Sequence, residues 1–187
     1  MWSILAQVFL GWIYGHIAEY ALHRWLLHGV AIKTKKYLLF HFYEHHSKAR
    51  SSLMLDDIYK FHDIRWNAAT KEITGLIFLL LVHVPLYFFV PAFYVMLLHA
   101  AAVYYFIHRK SHINFEWAKQ TVPWHYDHHM GPNQHANYGV RSDLMDRIFK
   151  TRVPYHGTTK ERADHVRRVR RWMREERRKY NVGPHSD

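Results

Sequence analysis

The sequence predicts an all-α integral membrane protein with about three transmembrane helices and a helical cap on the cytoplasmic side. No Asp, Glu, Lys or Arg occurs in residues 1–18 or 73–108, whereas most of the remaining chain is densely charged. None of the 26 Lys and Arg residues lies between Lys71 and Arg109. Uncharged apolar stretches that alternate with charged blocks are typical of membrane proteins rather than soluble globules.

The membrane helices are expected near residues 1–27, 73–90 and 92–107. Gly29 is expected to end the first helix, because glycine readily adopts the left-handed conformation that follows helix ends. The other two are expected to form a hairpin that turns near Pro91, and a helix over residues 73–90 rises roughly 27 Å, about the thickness of a bilayer core. A buried hairpin in a soluble protein is the alternative interpretation.

The charge distribution orients the chain and divides it. If Pro91 lies on the far side, every Lys and Arg lies on the near side, which the positive-inside rule assigns to the cytoplasm. Residues 1–159 are interpreted as a membrane-embedded domain and residues 160–187 as a basic amphipathic tail. We expect the tail to dock on anionic lipid headgroups. Nucleic acid is not an expected partner, because the basic run lacks any recognised nucleic-acid-binding fold.

Ten of the 18 histidines form four groups in the polar segments. They are His23 and His28 in HRWLLH, His41, His45 and His46 in HFYEHH, His108 and His112 in HRKSH, and His125, His128 and His129 in HYDHH. Residues three or four apart share one face of an α-helix. By this spacing an ion can be shared by His41 with His45, by His108 with His112, and by His125 with His128 or His129. The five-residue spacing of His23 and His28 would place their rings well apart.

The adjacent pairs 45/46 and 128/129 point their rings about 100° apart on a helix. One ring of each pair can then serve one ion and the second ring a neighbouring ion. Imidazole binds iron, zinc, copper and nickel, and ten ligands suit two ions with about five imidazoles each. The absence of cysteine excludes thiolate zinc sites and Cys-ligated iron–sulfur clusters. Four carboxylates are expected to accept the distal ring N–H groups: Glu19, Glu44, Asp127 and Asp143.

The remaining histidines are interpreted as structural or solvent-facing. Five of them are weighed as outer ligands or as functional groups within the membrane: His16, His62, His83, His99 and His135. His156, His165 and His185 are assigned no role, because nothing in the sequence pairs with them.

The sequence resembles the fatty acid hydroxylase and sterol desaturase superfamily of integral membrane di-iron enzymes. EYALHRWLLHG, HFYEHH, HRKSH and WHYDHH fit its histidine boxes in order, and NYGVRSDLMDRIFKT, residues 137–151, resembles the segment after its last box. The resemblance runs from Glu19 to Thr151. It implies a cytoplasmic metal-bearing cap in which the ten grouped histidines hold two iron ions, with dioxygen as co-substrate. Zinc can replace iron in a purified protein.

The chain departs from the family pattern at three points. It has about three apolar crossings where larger relatives often have four. It has no fused cytochrome b5 domain, so a separate electron-donor protein is expected. Lys150 replaces the usual glycine of the post-box segment, so the resemblance does not predict the conformation of this local turn.

The favoured function is O2-dependent hydroxylation of a membrane lipid or fatty acyl chain that enters laterally from the bilayer. Desaturation of the same lipid class is the nearest alternative, and a non-catalytic membrane metal-binding or transport protein is the alternative from another class. HRWLLH lacks the H-E-x-x-H pattern, so peptide hydrolysis is disfavoured. A bacterial inner membrane is expected, with the endoplasmic reticulum as the alternative. The sequence identifies neither the lipid nor the oligomeric state.

Overall fold

The computed structural model describes residues 3–34, 37–60 and 65–181, and every regular element in this part is helical. His62, His185 and residues 182–187 of the tail lie outside it. The elements are α1 (Ile4–Ala21), a first π-helical segment (Leu22–Val30), α2 (Ala31–Thr34), a 3₁₀ turn (Tyr37–Leu39), a second π-helical segment (Phe40–His46), α3 (Ser47–Ser51), a 3₁₀ turn (Asp57–Tyr59), α4 (Ala68–Phe89), α5 (Pro91–Ile113), α6 (Phe115–Thr121), α7 (Pro123–Met130), α8 (Leu144–Ile148) and α9 (Thr159–Asn181).

The first helical run begins at α1 and does not end where the sequence predicted. Ser3 caps α1 by accepting a hydrogen bond from the backbone N–H of Ala6 at 3.2 Å. The chain then passes without a break through the first π-helical segment into α2. Gly29 lies inside this run, so the prediction that it ends the helix was wrong. The backbone N–H of Ala31 bonds to the carbonyl of Leu26, so the π-type hydrogen bonding carries the helix past the glycine.

The hairpin is formed by α4 and α5, and both helices are long and apolar enough to cross a membrane. Asn67 begins α4 with a reciprocal capping box to Thr70, and only Val90 separates the two helices. Both extend further toward the charged end than predicted, since a charged residue ends an apolar run without ending a helix. As a result, α5 includes His108 and His112.

The helix α1 packs along α5 through two glycines. A Cβ placed on Gly11 would lie 2.7 Å from the Cβ of Met96, and one on Gly15 would lie 3.1 Å from that of Ala100. Small residues let helix backbones approach closely, as they do in membrane bundles. The outer face of α1 is apolar, with Leu5 81 % exposed. However, α1 is not among the helices that meet the criteria for a membrane span, so a third crossing stays a prediction.

Beyond the hairpin, short helices form a cap over the charged ends of α1, α4 and α5. Pro123 begins α7, where its fixed backbone angle suits the first helical turn. A compact apolar cluster supports α7, and its buried members are Met54, Ala118, Val122, Tyr126, Met130 and Tyr155. This cluster holds rigid the helix that carries the last histidine group.

Lys150 occupies a left-handed backbone position, with φ of 55°, directly after α8. A residue with a Cβ pays about 1 kcal/mol for this conformation, whereas glycine does not. We expect Lys150→Gly to raise the free energy of unfolding by about 0.5–1 kcal/mol, because the gain exceeds glycine's extra unfolded-state entropy. Thermal unfolding in detergent measures the change. Lys150→Ala keeps the Cβ and is the control, and equal stability of the two variants would contradict the assignment.

Candidate metal centre

All ten grouped histidines are buried at one place in the cap, each no more than 6 % exposed. They come from both π-helical segments, from the end of α5 and from α7. The structure therefore brings together the four groups that the sequence separates by up to a hundred residues.

The rings divide into two clusters, in each of which the ligand nitrogens lie within 4.8 Å of one another. The first cluster contains His23, His28, His41, His46 and His128. The second cluster contains His45, His108, His112 and His129. Two ions are the natural occupants of two such clusters, because their nine potential ligands exceed the needs of one ion.

The tenth histidine, His125, lies beside the second cluster. Its ring centroid is 4.7 Å from that of His129 and 5.1 Å from that of His108. Both of its ring nitrogens are buried without a hydrogen-bond partner among the described residues. His125 thus has the position and the free nitrogens to be a fifth ligand for the second cluster.

Adjacent histidines are divided between the clusters as predicted. His45 and His46 fall in different clusters, and so do His128 and His129. The prediction that His41 and His45 share one cluster was wrong, since His41 lies with His46 instead. Of the two neighbours that can share an ion with His125 by spacing, His129 lies in the second cluster and His128 in the first.

The π-helical backbone explains the unexpected pairing. In a π-helix the hydrogen bonds run from residue i to i+5, so residues five apart come close to one face. His23 with His28 and His41 with His46 are both five apart, and each pair lies within a π-helical segment. The ring centroids are 5.0 Å apart in the first pair and 4.9 Å in the second. The prediction that His23 and His28 point well apart assumed an α-helix and was wrong.

The hydrogen bonds of three rings define which nitrogen faces inward. The Nδ1 atoms of His23, His112 and His128 lie 2.5, 2.8 and 2.7 Å from the carbonyl oxygens of Tyr138, Met54 and Ala136. A carbonyl oxygen only accepts hydrogen bonds, so each Nδ1 carries the proton. Each Nε2 therefore presents a lone pair to the cluster interior.

The inward nitrogens are spaced as ligands of a common ion. In the first cluster, the Nε2 atom of His41 lies 2.9 Å from that of His23 and 3.2 Å from that of His46. In the second, those of His45 and His108 are 3.1 Å apart. Metal–nitrogen bonds of about 2.0–2.1 Å place neighbouring ligand nitrogens roughly 2.9–3.4 Å apart. Two lone pairs at this spacing repel one another unless a proton or a metal cation lies between them, and the shared spacing of several nitrogens fits a bound metal.

The electrostatics of the clusters keep the imidazoles neutral. Burial first, and then the neighbouring imidazoles, lower the pKa of His41, His45 and His46 well below the usual histidine range. The same causes, burial first, lower the pKa of His125 and His129. Since a metal ligand must be an unprotonated imidazole, these rings are ready to coordinate at neutral pH.

The post-box segment, residues 137–151, positions the carbonyl of Tyr138, which holds His23 of the first cluster. Asp146 is fully buried and accepts hydrogen bonds from the backbone N–H groups of Tyr138 and Gly139 at 2.8 and 2.7 Å. Asn137 takes a left-handed conformation, and its side chain bridges to the backbone of Val153. This network fixes the chain so that the carbonyl of Tyr138 meets His23.

A backbone position in the left-handed region supports the second cluster. Met54 is fully buried with φ of 72°, and its carbonyl accepts the hydrogen bond from His112. A non-glycine residue with this angle is disfavoured and persists where the surroundings demand it. Here the conformation aims the carbonyl that orients a candidate ligand.

The carboxylate beside the centre is Glu72, which the sequence analysis missed. Its Oε1 atom lies 2.8 Å from Nδ1 of His108, and its Oε2 atom accepts a 2.8 Å hydrogen bond from the hydroxyl of Tyr59. A carboxylate at the distal nitrogen of a ligand histidine orients the ring and raises its basicity. Glu72 lies outside all four histidine groups in the sequence. The fold brings it to His108 from the beginning of α4.

The four carboxylates predicted for this role pair elsewhere. Glu19 accepts from the backbone of Val140 and Arg141 and pairs with the side chain of Arg141, while Glu44 pairs with Lys71. Asp127 and Asp143 both pair with Arg152. The prediction was wrong because nearby arginine and lysine charges compete for these carboxylates. Backbone carbonyls take their place at His23, His112 and His128.

An apolar cavity of about 750 Å³ reaches the metal centre from between the membrane helices. The polar side chains at its inner end include His23, His41, His45, His108, Tyr59 and Glu72. Its walls are formed by apolar side chains of α1, the first π-helical segment, α4 and α5. The cavity matches the size and lining of a site for an apolar ligand.

Residues 8–151 match the model of the fatty acid hydroxylase family. The chain belongs to this family. The match covers most of the chain and includes all four histidine groups. No curated protein and no solved structure matches the chain.

Membership of the fatty acid hydroxylase family and the two histidine clusters together indicate a hydroxylase-type metal enzyme, an oxidoreductase of the oxygenase kind. The two apolar helices and the family identify a membrane protein.

The histidines weighed as outer ligands lie outside both clusters where they are described. His16 is buried and its Nδ1 atom lies 3.3 Å from the hydroxyl of Ser142. His83 bonds with Tyr14, and His99 is exposed on α5. His135 comes nearest, with its ring 5.5 Å from that of His28, but it is exposed and stacks on Phe42.

Proposed function

We propose that this protein is a di-iron, dioxygen-dependent hydroxylase of a membrane lipid or fatty acyl chain. The observation that carries the proposal is the continuity of the 750 Å³ apolar cavity with both histidine clusters. A site that only stored metal ions or only stabilised the fold would need no apolar cavity that opens onto its ligands. The ten grouped histidines are the proposed ligands, five for each iron.

The protein's own groups supply position, protection and charge control. The leucine-rich walls of the cavity hold a hydrocarbon chain next to the histidine clusters and exclude water from the reacting carbon. Glu72, which accepts a hydrogen bond from Tyr59, would orient the ring of His108. The bound irons would reduce dioxygen with two electrons and two protons, so that one oxygen atom enters a C–H bond and the other leaves as water. A separate electron-donor protein would deliver the electrons.

The proposal includes a placement of the protein in the membrane. In our proposal α1 is the third crossing, because its outer face is apolar and it packs along α5 through Gly11 and Gly15. The metal centre then lies on the cytoplasmic side of a bacterial inner membrane. The helix α9 exposes Val166, Trp172 and Met173 on one face among many basic residues, which suits docking on anionic headgroups.

Product analysis tests the proposal directly. We expect protein purified from iron-supplemented cells to contain about two iron ions per chain. Lipids extracted from cells with the active gene should contain a hydroxylated species that is absent without it, and labelled dioxygen should add one labelled oxygen atom. A product that has lost hydrogen without gaining oxygen would identify a desaturase. Bound metal without any altered lipid or dioxygen consumption would favour a metal-binding or transport protein and would contradict the proposal.

A further inference from the structure

The cavity has a defined far end, formed by residues on three helices. Its lining begins at Tyr14 on α1, reaches His83 on α4 and includes Leu97 on α5. Along each helix these are the lining residues most distant from the histidine clusters. The helical rise from Glu72, beside the metal centre, to His83 is roughly 16 Å.

A hydrogen bond ties this far end together across the bundle. The hydroxyl of Tyr14 lies 2.8 Å from Nε2 of His83, and Nδ1 of the same ring lies 2.7 Å from the carbonyl of Leu79. Because the carbonyl must accept, Nδ1 donates and Nε2 accepts from the Tyr14 hydroxyl. The two polar groups satisfy each other, although Tyr14 is 39 % exposed at the surface of the helix bundle.

A second cavity of about 260 Å³ lies beyond the pair. It is lined by Gln7 and Leu10, which precede Tyr14 on α1, and by Leu86, which follows His83 on α4. Phe93 also lines it, and the ring of Phe93 is 5.4 Å from that of Tyr14. Tyr14, which lines the larger cavity, thus contacts Phe93, which lines the second one.

We propose that the Tyr14–His83 pair is the floor of the substrate cavity and sets the longest hydrocarbon tail that the enzyme accepts. This inference rests on the proposed lipid hydroxylase function. The substrate class is a lipid with a linear acyl chain whose segment beyond the oxidised carbon fits between the clusters and the floor. Removing the Tyr14 ring would join the two cavities and add roughly 6–10 Å of depth along α1.

The test uses deuterated saturated fatty acids of graded length, fed to cells that make the full-length protein. The host builds these acids into its own lipids, so the headgroup need not be known. For the unaltered protein we expect deuterated hydroxylated products to stop at a sharp upper chain length. Tyr14→Ala should move this limit to chains several methylenes longer, and Leu97→Phe should move it to shorter chains.

The matched control is Tyr87→Ala, which removes an exposed tyrosine from α4 that does not line the cavity. It should leave the limit unchanged. Tyr14→Phe keeps the ring and should also keep the limit, with lower thermal stability. If Tyr14→Ala fails to fold, two results still test whether this end of the cavity sets the longest chain. They are the effect of Leu97→Phe and the sharpness of the chain-length limit in the unaltered protein.

A second measurement separates this inference from the proposed function. Native mass spectrometry of the purified proteins reports the chain lengths of retained lipids without requiring turnover. A shift in the chain lengths of retained lipids without any hydroxylated product would support the Tyr14–His83 floor and contradict the hydroxylase proposal. If a folded Tyr14→Ala variant makes hydroxylated products with the same upper chain length as the unaltered protein, the proposed floor is wrong and the hydroxylase proposal stands.

Discussion

Separate replacement of His45 and His46 by alanine is expected to lower the metal content from about two ions per chain to about one in each variant. The two residues are neighbours in the sequence, but their rings belong to different clusters. Each variant should lose lipid oxidation, because neither ion alone completes the centre. Elemental analysis of purified protein measures the metal, and thermal unfolding checks that each variant is folded.

Double variants make the prediction sharper. His45 and His112 share the second cluster, so replacing both should remove no more than that cluster's ion. Replacing His45 and His46 together should remove both ions. His135→Ala is the control, since this ring lies beside His28 but outside both clusters. Equal metal content in the two double variants would contradict the division into two clusters.

Glu72→Gln is expected to weaken the ion of the second cluster by about 10–100-fold while leaving the ion of the first cluster unchanged. In the unaltered protein, Oε1 of Glu72 lies 2.8 Å from Nδ1 of His108. The amide of the variant carries no negative charge at this position. The ring would then be less basic and less firmly oriented. A titration with a competing chelator should show one ion leaving at much lower chelator concentration than in the unaltered protein.

Two further variants define the origin of this effect. Glu44→Gln removes a carboxylate that is 51 % exposed and pairs with Lys71, and it should not change the titration. Tyr59→Phe removes the hydroxyl that donates to Glu72 and should give a smaller change of the same sign. Unchanged affinity for both ions in Glu72→Gln would show that the contact with His108 does not support metal binding.

The sequence predicted much of the fold because the relevant signals are local. Uncharged runs located α4 and α5, and Pro91 marked the turn between them. The division of each adjacent histidine pair between two clusters also followed from the sequence, since successive side chains on any helix point in different directions.

The sequence by itself determined the type and number of the candidate ligands, the presence of two clusters and the membrane hairpin. Only the tertiary structure decided that His41 pairs with His46, because the π-helical turns depend on packing that no residue periodicity reveals. It also decided the contact between Glu72 and His108 and the hydrogen bond between Tyr14 and His83. These groups act through contacts between helices far apart in the chain, and such contacts are set by how the helices pack rather than by local spacing.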